Sequence, residues 1–232
     1  MNRRSRIKIE LLEILRQKDL RTIFSSLQKY GERDLIRSLF SALYHPEDSV
    51  RWHAVSAFGW VVDRVARRDL ESARVVMRRF LWSLNDESGG IGWGSPEAMA
   101  EIMARNEALF LEYYHMLLSY MREDGPELFQ NGNYLELPQL QRGVLWGIGR
   151  LAGHGELLMQ NGVVDDLLPY LQSSDGPVRG LSAWSLGLLK AGSAKKPIQQ
   201  LFDDGGAVTL YRDGEIIETT VSELAHQAFK KL

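Results

Sequence analysis

The stretch Asp48-Ser49-Val50-Arg51-Trp52-His53-Ala54-Val55-Ser56-Ala57-Phe58-Gly59 is echoed further along the chain. The second copy is Asp175-Gly176-Pro177-Val178-Arg179-Gly180-Leu181-Ser182-Ala183-Trp184-Ser185-Leu186-Gly187. Asp, Val, Arg and the final Gly hold matching places, and each copy follows a helical segment by a short turn. A weaker third copy, Leu140-Gln141-Arg142-Gly143-Val144-Leu145-Trp146-Gly147-Ile148-Gly149, ends 38 residues before the last glycine of the second. Gly59 and Gly149 are 90 residues apart, room for one more, degenerate repeat whose second helix begins near Ser95. Self-similarity at this period marks stacked supersecondary units, none of which can bury its apolar face alone.

The residue types suit stacking. Ala54, Ala57, Gly59, Ala183 and Gly187 allow close helix approach, while Val50, Phe58, Val178 and Leu186 fill the space between neighbouring pairs. Asp and Arg near the start of each second helix can bond from repeat to repeat. The Asp-x-Val-Arg-x-x-Ala-x-x-x-Leu-Gly pattern resembles the HEAT-like repeats named after phycobilin lyases. That resemblance covers about residues 32–190 and implies antiparallel helix pairs in a right-handed α-α superhelix of about four repeats. The whole chain is also similar to a group of uncharacterised bacterial HEAT-like proteins, which supplies a fold and no activity. The expected class is therefore all-α with a small C-terminal β-hairpin. Its expected parts are an N-terminal helical cap (1–31), the repeats (32–190) and a hairpin-helix cap (191–232).

Outward from the repeats, residues 7–30 read as one or two amphipathic helices with Ile7, Leu11, Ile14 and Leu15 on one stripe. Glu32 to Tyr44 follows, and His45-Pro46 ends it, because the residue before proline is pushed out of the helical region. Asp69 to Leu84, Asn106 to Met121 and Val163 to Leu171 fit as first helices of later pairs. Gly125-Pro126 and Asn131-Gly132-Asn133 mark a long irregular connection. Ala207 to Tyr211 and Glu215 to Thr220 flank Arg212-Asp213-Gly214, a hairpin signal, and Ser222-Glu223 opens a last short helix. A lone hairpin is marginal in water, so packing on the final repeat is expected.

Composition narrows the function classes. There is no cysteine, which excludes disulfides, thiolate metal sites and a cysteine nucleophile, and suits a reducing compartment. No apolar run approaches a membrane span and Ile7-Lys8-Ile9-Glu10 interrupts any signal-like core, so a cytoplasmic protein without a membrane span is expected. The net charge of -2 hides an asymmetry: residues 1–82 carry 17 Lys+Arg against 10 Asp+Glu, the remainder 11 against 20. A basic front end attracts nucleic acid, anionic lipid or an acidic protein.

The stretch between Asn85 and Glu97 stands out, with four glycines at 89, 90, 92 and 94 among Asp86, Glu87 and Trp93. Ser95-Pro96-Glu97 reads as a helix start with Ser95 at the N-cap. Glu97 and Glu101, four apart, point from one helix face, and with Asp86 or Glu87 folded back three carboxylates could hold a hard cation or do acid/base work. Gly90-Ile91-Gly92-Trp93-Gly94 is superficially similar to the Gly-Gly-x-Trp-Gly turns of terpene cyclases, whose acidic catalytic motifs are missing here. The His-Glu pairs of di-iron HEAT-like hydroxylases do not recur, and no nucleophile elbow, P-loop or dinucleotide fingerprint is present. Trp52, Trp60, Trp93, Trp146 and Trp184 all lie on or beside second helices, where they fill the core or form a stacking surface. His53, beside Trp52, either faces the groove near the loop or is packed.

The sequence thus points to a scaffold or accessory protein holding a protein partner in the groove beside Asn85–Glu97. The candidate binding residues are Asn85, Asp86, Glu87, Trp93, Glu97, Glu101, Trp52, His53 and Trp146. No motif calls for a cofactor. One rival is an enzyme or small-ligand or metal-binding protein using the acidic Gly-rich loop. The other is nucleic-acid binding through the basic N-terminal helices; the DNA alkylpurine glycosylases of HEAT-like fold use a basic, aromatic groove of that kind.

Overall fold

Ridges of aliphatic residues at helical spacing fold this chain into thirteen α-helices and one two-stranded sheet among the described residues. A computed structural model describes residues 3–85, 91–123 and 133–232. Asp86, Glu87 and the glycines at 89 and 90 lie outside them, as do Gly125, Pro126, Asn131 and Gly132. The described residues form two compact units: 1–111 with 211–216, and 112–210 with 217–232. No described helix is long and apolar enough to cross a membrane.

The first unit holds α1 (Arg3–Leu15), α2 (Leu20–Leu27), α3 (Glu32–Ala42), α4 (Asp48–Ala66), α5 (Leu70–Ser83) and α6 (Ser95–Arg105). Helix α3 stops before His45-Pro46, and α5 is capped by Asp69, whose carboxylate accepts from the Ser72 N–H at 3.2 Å. Helix α4 is buried along most of its length and packs against α3, α5 and α6. Its centre is aromatic: Phe58 meets Phe40 and Phe80 edge-on, both at 4.9 Å between ring centroids. Helix α6 starts at the residue expected for the degenerate repeat and lies against α4. The contact is close because Gly59 has no side chain; a Cβ there would meet the Glu101 side chain at 2.7 Å.

Helix α7 (Glu107–Ser119) carries the division between the units. The second unit continues with α8 (Pro138–Arg150), α9 (Gly155–Gln160), α10 (Val163–Leu167), α11 (Gly176–Leu188), α12 (Lys195–Gln199) and α13 (Val221–Phe229). Helix α11 packs on α8 and on α13. Both contacts run through repeat-ending glycines: Gly149 faces the Trp184 ring, and Gly187 faces the Ala228 backbone. The terminal glycine of each copy is therefore where its helix meets the next packed element. Val50, Phe58, Val178 and Leu186 are fully buried, as their positions in the repeat require.

The Asp/Arg ladder is present in part. Arg142 on α8 donates from Nε to Asp175 at 3.0 Å, and Asp175 also caps α11 by accepting from Val178 N–H at 3.0 Å. Arg179 reaches Asp204 at 2.7 Å and the Ser173 carbonyl at 2.6 Å. Arg51 stays in its own repeat, bonding Asp48 and the His45 carbonyl. Charged hydrogen bonds contribute roughly 1.5–3 kcal/mol each when well placed. Arg179→Ala is expected to lower stability by about 2 kcal/mol, measured by chemical denaturation, because it removes the charged donor to Oδ2 of Asp204 and to the Ser173 carbonyl; an unchanged midpoint would remove the ladder as a stabilising element.

Strands β1 (Ala207–Arg212) and β2 (Glu215–Thr220) join through Asp213-Gly214, with φ of 54° and 93°. Positive φ at both central residues is the tight hairpin turn that matches strand twist. Helix α13 covers α11 as a cap would. Residues 211–216, however, belong to the first unit, where the Gly214 Cα lies close to Leu20 and Tyr211 meets α4. The expected packing of the whole hairpin on the final repeat is thus replaced at its tip by contacts within the first unit.

Candidate functional site

Helices α3 and α5 end where α4 and α6 begin, and the residues leading into α6 join these ends. Gly92 sits against Leu84 and the Ser83 carbonyl, and Gly94 against the Leu43 side chain. Ser95 was the expected N-cap. Gly94 takes that place instead, at a φ of 73°, and Ser95 is buried as the first helical residue. The left-handed cap turns the chain sharply, which glycine does without steric penalty.

This end of the first unit exposes large apolar side chains: Tyr44 and Trp82 at 57%, Ile91 at 46% and Trp93 at 40% of their full surface. Arg51 and Glu97 stand at the starts of α4 and α6 on the same end. Oε2 of Glu97 is buried and has no hydrogen-bond partner among the described residues. Burial pushes its pKa up to about 7, against the pull of its own backbone N–H and of Arg51. The group is therefore poised between charged and neutral near pH 7. Glu101 has a different setting. It is buried between α6 and α4, with Arg105 Nε donating to it at 2.7 Å. The two carboxylates share a helix but not a role. Among the described residues no three His, Cys, Asp or Glu side chains cluster as metal ligands.

The remaining candidates are placed as follows. Asn85 is exposed beside Trp82, and its N–H bonds the Trp82 carbonyl at 3.1 Å. Trp52 stacks on Tyr211 at 4.8 Å with an interplanar angle of 12°. His53 is a core histidine, not a groove residue: Nδ1 lies 2.6 Å from the Leu15 carbonyl and Nε2 3.2 Å from that of Gly214. Trp146 is also corrected, because its ring is buried in the second unit and offers no surface to a partner. Ser56 completes the hairpin-tip contact through the Tyr211 hydroxyl at 2.7 Å, and burial raises that hydroxyl's pKa.

Trp82 and Tyr44 were not singled out from the sequence. A signal existed for Trp82. The core stripe of α5 is Ala73, Val76, Met77 and Phe80, and Val75 and Trp82, seven apart, fall together on another face.

Comparison with known proteins follows the repeat. Residues 138–189, which hold α8 through α11, match the HEAT-like repeat family. This segment is similar to a HEAT-like repeat. A protein of Archaeoglobus fulgidus, itself uncharacterised, is 30% identical over 114 residues. That match covers 49% of this chain and 52% of the archaeal protein, so the chain spans about half the length of the curated relative it matches. Two engineered proteins solved by a structural genomics consortium share the fold, each at a TM-score of 0.52. They are 13% and 14% identical, align over 100% of this chain, and are themselves covered at 96% and 98%. At this identity the likeness shows the fold alone.

Proposed function

We propose that the chain is a scaffold or accessory protein that binds a protein partner at the Tyr44, Trp82, Ile91 and Trp93 end of the first unit. The observation that carries this reading is the exposure of four large apolar side chains on elements fixed by a full core. Scattered exposed apolar residues are ordinary, but aromatics gathered at the ends of packed helices have the composition of binding hot spots. Arg51 supplies a polar rim. Trp82→Ser combined with Trp93→Ser is expected to weaken the partner's affinity by about thirtyfold, as loss of hot-spot aromatics does, with an unchanged melting temperature. The measurement is cross-linking of the tagged chain in cells, followed by titration of the purified partner against both forms. Equal affinity for wild type and variant would refute this placement of the site.

A second reading, a small-ligand or catalytic site, rests on Glu97. A carboxyl with one buried, unpartnered oxygen and a pKa near neutrality is a form that acid/base or ligand-binding groups take. A thermal-shift screen against divalent cations, nucleotides and metabolites, on wild type and Glu97→Gln, separates the two. A shift lost in the variant favours the ligand site; a flat screen favours the scaffold.

A further inference from the structure

Helices α3 and α5 run side by side in the first unit, and a groove of about 590 Å³ opens along them. None of the residues at the aromatic end lines it. Its floor is aliphatic, built from Ile36, Val75 and Val76, and Val75 is 55% exposed. Its walls carry arginines. Arg33 and Arg37, four apart on α3, are exposed and make no ion pair or hydrogen bond among the described residues. The guanidinium of Arg79 on α5 sits over the Phe40 ring, 3.7 Å from its centroid, which holds it at the groove edge.

Two carboxylates also line the groove, and both are already occupied. Glu32 pairs with Arg64 and Arg68, and Asp69 accepts from the Ser72 N–H and hydroxyl at the start of α5. What faces outward is therefore an apolar strip between unneutralised guanidinium groups. We propose that this groove binds an acidic peptide segment of a partner protein, one that alternates carboxylates with an aliphatic anchor. The anchor covers Val75 and Ile36, and the carboxylates take the two-pronged hydrogen bonds that guanidinium groups offer. Charge complementarity selects the sign of the partner, and the floor selects peptide over nucleic acid. No aromatic ring is among the described residues that line the groove, so none is there to stack a base.

The test uses fluorescence anisotropy with three labelled peptides, repeats of Glu-Glu-Leu, Glu-Glu-Ser and Lys-Lys-Leu, and a single-stranded oligonucleotide. The full chain is compared with Arg33→Glu/Arg37→Glu and with Val75→Asp, all surface changes whose folding is checked by thermal melting. The expected result is saturable binding of the Glu-Glu-Leu peptide that weakens as salt rises and falls by at least about tenfold in either variant. Equal binding of the Glu-Glu-Ser peptide would overturn the proposal by removing the anchor, and so would failure of the Glu-Glu-Leu peptide to bind. Tighter binding of the oligonucleotide, abolished by the same arginine changes, would overturn it in favour of a nucleic-acid surface. Because the aromatic end is untouched by these variants, the outcome is independent of the partner site proposed above.

Discussion

Gly149→Val is expected to lower stability by about 3 kcal/mol, or roughly 9 °C in melting temperature for a chain of this size. A Cβ at this position would lie 2.6 Å from Cε3 of Trp184 and 2.8 Å from Oγ of Ser185. Neither neighbour can step aside. Trp184 is buried in α11, and the Ser185 hydroxyl donates to the Leu145 carbonyl at 2.7 Å. The helix itself gains from losing a glycine, by roughly 0.5–1 kcal/mol for alanine, so the crowding must exceed the net loss that is measured. Gly153→Ala is the control, because nothing lies within 4 Å of its Cβ position. If both variants melt like wild type, α8 and α11 do not meet through Gly149.

Glu97→Gln is expected to stabilise the protein above pH 7 and to leave it nearly unchanged at pH 4. The ordinary value of 4.5 holds in the unfolded chain, and burial raises the folded value to about 7. The folded state therefore holds this proton more tightly than the unfolded state. Stability contributed by the protonated group is complete below about pH 4.5 and is lost as the pH climbs through about 7. The gap between the two values corresponds to about 3 kcal/mol at pH 8. Glutamine keeps the shape, cannot ionise, and removes that slope. Denaturation midpoints from pH 4 to 8 for both proteins check it; parallel profiles would mean that Oε2 finds a partner in solution. A stabilising substitution at this position would also mean that the acid is kept for something other than folding.

The repeat core was legible because its signal is spread over many positions. Val50 and Val178, Phe58 and Leu186, and the glycines at 59, 149 and 187 recur at fixed places, and each is buried or in close contact as the stacking requires. The Asp213-Gly214 turn was readable for a different reason, since local chemistry decides it. The site was less legible. Whether Glu97 faces water or the interior depends on tertiary packing at the start of α6, where Leu84 and Leu43 lie against Gly92 and Gly94, and the spacing of Glu97 and Glu101 does not encode that. His53 and Trp52 looked like groove residues because their partners, Gly214 and Tyr211, lie about 160 positions away. The groove of α3 and α5 was hidden because arginines at helical spacing read as a solvated face until the neighbouring helix supplies an aliphatic floor.

The hairpin tip has a consequence for the order in which the molecule is made. Residues 211–216 leave the ribosome about a hundred residues after Leu111, yet they are part of the first unit. Until they arrive, His53 lacks the Gly214 carbonyl, Ser56 lacks the Tyr211 hydroxyl, and Trp52 lacks the Tyr211 ring that stacks on it. Contacts so distant in sequence form slowly, because a long loop must close before they give any return. The unit whose synthesis begins first thus stays incomplete until nearly the whole chain has been made.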